Sequence, residues 1–162
     1  MGGVTLVCTQ DEGSRLGMTA TAICSVSASP PTLLACLNRQ GVTCAGISRS
    51  GVFSVNMLQP ESAELARVFS GPTGPDMPDR FGIGTWARLK TGAPVLVEGN
   101  AAFDCRVVKT MDVGTHRIFI GAVEAVHLGS EMTGLGYFDG AFVTPSLFDS
   151  LSPSISPSRS PQ

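Results

Sequence analysis

The sequence predicts a mainly β domain, an antiparallel barrel with one or two flanking helices. Three observations carry that expectation. Apolar and hydroxyl residues alternate with a period near two along much of the chain, as strands require. Only Pro60–Phe69 combines an apolar helical stripe with start and stop signals at both ends. Strands and long helices do not alternate regularly, which a doubly wound parallel sheet would need.

The elements follow in order. Val4 to Thr9 is rich in β-formers, and Gln10 to Ser14 reads as a turn. From Gly17 to Asn38 the chain reads GMTATAICSVSASPPTLLACLN, with Gly17 as a flexible opening. Hydroxyls at Thr19, Thr21, Ser25 and Ser27 stand among Ala20, Ala22, Ile23 and Val26. Pro30-Pro31 ends that run, since proline has no N–H to donate and restricts the residue before it. A second run, Thr32 to Leu37, follows. Two strands with a row of hydroxyls and a proline corner make a polar ledge in an apolar wall, a surface suited to a flat heteroaromatic ligand. Thr43 to Ser50 reads as a short helix capped by Thr43 and closed by Gly51.

Val52 to Leu58 alternates as a strand and stops at Pro60. Pro60–Phe69 is the best helix, with proline in its first turn, acids near its start and Gly71 at its end. A Gly/Pro-rich loop spans Gly71 to Pro78. Two long β runs follow, Pro94 to Lys109 and His116 to Leu128, joined around Asp112-Val113-Gly114. Leu135 to Phe138 is a further short strand. We therefore expect one domain over residues 1–149 and a disordered Ser/Pro-rich tail over 150–162, which lacks the apolar residues to order itself.

Composition narrows the function. The chain has 162 residues and a formal net charge of −2, with Lys and Arg scattered, which argues against phosphate-driven nucleic-acid binding. No apolar run approaches the roughly 20 residues that span a bilayer, and no signal-peptide pattern opens the chain, so a cytoplasmic protein without membrane partners is expected. Five cysteines, Cys8, Cys24, Cys36, Cys44 and Cys105, form no CxxC pair. Their odd number and wide spacing argue for free thiols rather than disulfides or a metal site. Gly82-Ile83-Gly84-Thr85-Trp86-Ala87 matches the GxGxxA dinucleotide fingerprint but lacks the preceding parallel strand that gives the motif its function.

The Gly17–Asn38 segment, with FSVNML at Phe53–Leu58, LARVFSG at Leu65–Gly71, Arg80-Phe81, PVLVEGNAAFDC at Pro94–Cys105, GTHRIFIGAV at Gly114–Val123 and GLGYFDGAF at Gly134–Phe142, resembles the short-chain flavin reductases. These are the small components of two-component flavin-dependent monooxygenases such as 4-hydroxyphenylacetate 3-hydroxylase. The resemblance implies an FMN-binding split β-barrel that forms a homodimer. It also implies reduction of FMN or FAD by NADH or NADPH, with reduced flavin passed to a transient partner monooxygenase.

The resemblance further implies a flavin site at Thr19, Ala20, Thr21, Ala22, Ser25, Val26 and Ser27. Asn38, Arg39 and Thr43 would lie nearer the ribityl chain and phosphate, His116 beside the nicotinamide, and Tyr137 and Phe138 near the dinucleotide. Those residue types suit the roles. Backbone amides and small hydroxyls can meet the ring's polar edge, and a cation with hydroxyls suits a phosphate. His116 could bond the nicotinamide amide or help neutralise a reduced flavin anion. The cofactors carry the hydride chemistry, so the protein's task is to hold them about 3–3.5 Å apart.

Two departures stand out. Relatives usually carry a helix before the first strand, whereas Met1-Gly2-Gly3-Val4 stands about where that helix would end. Many also have a serine where this chain has Gly41. Two other readings stay open at the level of sequence. One is a flavoprotein that retains its flavin and reduces another acceptor, such as a corrin cobalt or a ferric chelate; the other is a non-catalytic flavin-binding protein.

Overall fold

Gly2–Gly3 forms a two-residue strand (β1), and the chain then makes its first hairpin from Thr5–Asp11 (β2) and Ser14–Ala20 (β3). Asp11 pairs with Ser14, so the turn is only Glu12-Gly13. Both have positive φ, 46° and 83°, the two-residue geometry that matches the twist of the flanking strands. The structure, a computed structural model, describes residues 1–73, 79–130 and 133–145. The expected tail over 150–162 and most of the Gly71–Pro78 loop lie outside these.

The Gly17–Asn38 segment holds parts of three strands rather than two. After β3 comes a break at Thr21-Ala22, then Ile23–Ala28 (β4) and Pro31–Asn38 (β5). Gly17 does not act through flexibility. A Cβ there would meet Phe69 at 2.7 Å and the Cys8 sulfur at 3.0 Å, so the position is glycine because an aromatic ring packs on its backbone. Val42–Ser50 (α1) is capped by Gly41, without a side-chain bond, and not by Thr43, which lies within the helix and is buried.

Val52–Met57 (β6) leads through a 3₁₀ turn at Pro60–Ser62 to Ala63–Ser70 (α2), closed at Gly71 as expected. Trp86–Arg88 (β7) pairs with Pro94–Leu96 (β8). The long run expected from Pro94 breaks at residues 97–100 before Ala101–Val113 (β9), whose partner is His116–Leu128 (β10). Asp112 and Val113 belong to β9, so the turn is Gly114-Thr115. Gly136–Phe138 (β11) pairs with β1 and with Ala141–Val143 (β12), two partners the sequence pattern had not suggested. The GxGxxA segment spans the end of a 3₁₀ turn and the start of β7, so it opens no helix.

The main sheet runs β3-β2-β6-β9-β10-β5-β4. Its two outer strands, β3 and β4, are consecutive in the chain and joined by Thr21-Ala22 alone. That link fixes one end of both edges within a few residues' reach, so the sheet must curl into a barrel, while the far ends are free to part. The result is an antiparallel barrel with a seam. Val7, Leu37, Ile47, Phe53, Val55 and Phe119 fill one cluster of the core. Leu6, Leu58, Leu65, Phe69, Phe81 and Leu96 form a second cluster that includes the buried face of α2. Among the described residues, no helix is long and apolar enough to cross a membrane.

Candidate functional site

Strand β4 breaks the rule that a barrel strand buries alternate residues. Cys24, Ser25, Val26 and Ala28 are exposed, and Ile23 and Ser27 are only half-buried. An edge strand open on both faces is a surface to which something else can bind. The inner side of the seam here opens into a cavity of about 370 Å³, within the size range of small-molecule sites. Thr21, Ser25 and Ser27 are among its walls, with Leu33, Val55 and Phe103 behind them. Its lining is apolar with a rim of hydroxyls.

A second recess, of about 660 Å³, begins at Thr21, which lines both spaces. It is lined also by Thr19, Ala20, Arg67, Tyr137 and Phe142. Tyr137 and Phe142 meet edge to face with centroids 5.5 Å apart, and the Arg67 guanidinium lies over the Phe142 ring at 5.2 Å. Arg67 and Phe142 were not anticipated. Arg67 lies within the LARVFSG segment, where the sequence assigned it no role, and Phe142 enters through β12, whose pairing with β11 the pattern had not suggested. The Thr19 hydroxyl donates to the Ala66 carbonyl of α2 at 2.6 Å, which ties helix to strand.

The ladder between β5 and β10 sets Asn38 directly opposite His116. His116 is exposed, and its Nδ1 lies 2.9 Å from the Thr115 hydroxyl. The Asn38 side chain accepts from the Gln40 N–H at 2.9 Å, and the Arg39 N–H donates to the Thr115 carbonyl at 3.0 Å. Beside this corner a third cleft is lined by Arg39, Gln40, Ser48, Arg49, Thr115 and Arg117. Arg117 grips Asp112 through Nε at 2.6 Å and Nη2 at 2.8 Å, and those bonds hold the carboxyl below its usual range.

The structure thus distributes the residues of interest over one edge of the barrel. Thr21, Ser25 and Ser27 share the first cavity; Thr19, Ala20, Thr21 and Tyr137 share the second; Asn38, Arg39 and His116 meet at the hairpin corner. Ala22 and Val26 are exposed beside them, and Phe138 is exposed at the end of β11. Thr43 stands apart: it is 1% exposed, so its hydroxyl is not presented at this surface. Of the thiols, Cys24 lines the first cavity and is exposed, whereas Cys8, Cys44 and Cys105 are buried, and burial pushes the Cys105 thiol up to about 12. No group of three metal-ligating side chains gathers among the described residues.

Comparison with known proteins adds an independent line. The sequence model of the family described as "Flavin reductase like domain" matches residues 1–146. The FMN reductase (NADH) RutF of Ancylobacter novellus is 44% identical over 135 residues, covering 83% of this chain and 74% of the relative. Among solved structures, BorF, the flavin reductase component of a bacterial two-component tryptophan halogenase, superposes with a TM-score of 0.80 at 30% identity, over 88% of this chain and 89% of its own. The styrene monooxygenase flavin reductase from Pseudomonas putida gives a TM-score of 0.79 at 26% identity, over 90% of this chain and 92% of its own.

Proposed function

The chain belongs to the flavin reductase like domain family, and we propose that it reduces FMN with NADH and supplies the reduced flavin to a partner monooxygenase. The chemistry is hydride transfer between the two nucleotides, which the nucleotides themselves supply. The observation that carries the reading is the pair of adjoining recesses that share Thr21. One is apolar with a hydroxyl rim, as an isoalloxazine ring needs. The other offers an aromatic pair and a guanidinium, as a nicotinamide nucleotide needs. Two flat ligands in adjoining recesses can be brought face to face, the arrangement hydride transfer requires.

The residues fit such a pair. In this reading Thr21, Ser25 and Ser27 offer hydroxyls to the polar edge of the ring, and Ala22 and Val26 offer exposed backbone. Ala20, buried with its carbonyl taken by the Thr5 hydroxyl, contributes as a wall of the second recess. Thr19 presents its methyl face, since its proton is given to Ala66. Asn38 and Arg39 receive the ribityl chain and phosphate, with Thr43 contributing at most its backbone amide. His116 hydrogen-bonds the nicotinamide amide or offsets charge on the reduced ring. Tyr137 and Phe138 bracket the rest of the dinucleotide.

The assembly belongs to the same proposal. Val108, Met111 and Val113 of β9 are 60%, 52% and 56% exposed, an apolar strip that a second copy would cover in a homodimer. A cytoplasmic location suits an enzyme that hands a soluble product to a partner. The relatives' names favour release of reduced flavin over a retained flavin that serves another acceptor.

The test is NADH oxidation by purified protein with FMN, with FAD or with no added flavin, followed by loss of reduced-nicotinamide absorbance. Turnover that saturates with added FMN supports the reading. No oxidation with any flavin would remove it.

A further inference from the structure

Gly114 and Thr115 make the turn between β9 and β10, and Gly114 takes a positive φ of 55° there. Two contacts hold that turn against the end of β5. The Arg39 N–H donates to the Thr115 carbonyl at 3.0 Å, and Nη1 of Arg39 lies 3.5 Å from the Gly114 carbonyl. The next residue, His116, sits opposite Asn38 in the ladder. The backbone that carries the Thr115 hydroxyl and the backbone that carries the imidazole are thus both set by the fold.

The two side chains then meet, with Thr115 Oγ1 at 2.9 Å from Nδ1 of His116. An exposed histidine side chain has two free torsions, and a bond at Nδ1 removes much of that freedom. The bond also places a proton. A hydroxyl can donate or accept, and a neutral imidazole carries its proton on one nitrogen only. Among the described residues the Thr115 hydroxyl has no second acceptor, so its proton goes to Nδ1 and the ring proton stays on Nε2. Nε2 has no partner among the described residues and is open to a ligand. An N–H there can donate to a carboxamide carbonyl, or toward the negative charge a flavin gains on taking up a hydride. The opposite tautomer would present a lone pair, which repels that charge.

We propose that Thr115 is a positioning residue for hydride transfer, its hydroxyl holding His116 with the ring proton on Nε2. The part in transfer rests on the oxidoreductase reading above, whereas the placement of the proton does not.

His127 supplies a reference within the same chain. The protein has two histidines, and Nε2 of His127 lies 2.9 Å from the Val97 carbonyl, which only accepts, so that nitrogen carries a proton. Heteronuclear NMR of the ring nitrogens, on the full chain labelled at histidine and at a pH where both rings are neutral, reads the tautomer of each. His127→Gln assigns the two sets of signals. His116 should be mainly protonated at Nε2 in the wild type, a mixture of both tautomers in Thr115→Val, and mainly Nε2-protonated again in Thr115→Ser, with His127 unchanged in both Thr115 variants. In NADH oxidation with FMN, Thr115→Val should lower kcat about fivefold, the contribution of one neutral hydrogen bond, with the KM for FMN changed less than about twofold. Thr115→Ser should recover most of the rate. A wild-type His116 protonated at Nδ1, a tautomer unmoved by Thr115→Val, or a full rate in that variant would overturn the proposal. A wild type that oxidises no NADH would remove the oxidoreductase reading and with it the part in transfer, and the ring spectrum would still uphold or overturn the placement of the proton.

Discussion

Thr19→Val separates two duties that one hydroxyl could perform. The threonine lines the second recess, yet its proton goes to the Ala66 carbonyl at 2.6 Å, a bond that pins α2 to β3. Valine keeps the shape and deletes only the donor. A hydrogen bond contributes about 1 kcal/mol net, and an acceptor left buried without its partner costs up to about 3 kcal/mol. Thr19 is half-buried, so about 1–2 kcal/mol is the expected loss. In a chain of this size each kcal/mol moves the melting midpoint by about 2–4 °C. A thermal melt of Thr19→Val should therefore fall by about 2–8 °C, with urea unfolding showing a lower midpoint at unchanged slope. The KM for FMN should change less than about threefold, because no bond to the ring is removed. An unaltered melt together with a KM raised tenfold would refute this argument and return the hydroxyl to the flavin.

Other outcomes follow from the same geometry. Arg80 donates to the carbonyls of Gly17, Phe69, Gly71 and Pro72 and lies over the Phe69 ring at 5.4 Å, so Arg80→Met should lower stability by about 2–4 kcal/mol, read by urea unfolding. Gly17→Ala forces Phe69 aside and should cost about 1–3 kcal/mol by the same measurement. Thr21→Leu narrows the junction of the two recesses and should raise the KM for FMN about tenfold with little change in melting temperature. Asp112 has a folded-state pKa held down by its bonds from Arg117, so its contribution is present above the ordinary aspartate range and is lost as pH falls through the lowered value. Wild type should melt above Asp112→Asn at neutral pH, and the difference should vanish in acid.

The β character and both helices were legible because apolar spacing and Gly/Pro punctuation are local signals, as at Pro60–Gly71. The break at Thr21-Ala22 was not, because alternation of small residues continues through it, and only closure of the barrel demands that the strand change partners there. The Thr43 cap failed for a related reason. A threonine can cap or be buried, and the core cluster around Ile47 and Phe119 shares the helix face that takes Thr43 inside. Ser25 and Ser27 stood out as a row of hydroxyls. Arg67, Phe142, Ser48 and Arg117 did not, since each reaches its cleft from a segment distant in the chain, and no spacing rule links Ser48 to a hairpin 69 residues away.

The central claim is tested most directly by mixing the purified chain with NADH and FMN and following oxidation as the FMN concentration is raised. The account predicts a rate that saturates with FMN and is negligible without added flavin. A rate independent of added flavin would contradict the release of reduced flavin, and no rate at any concentration would contradict the enzyme itself.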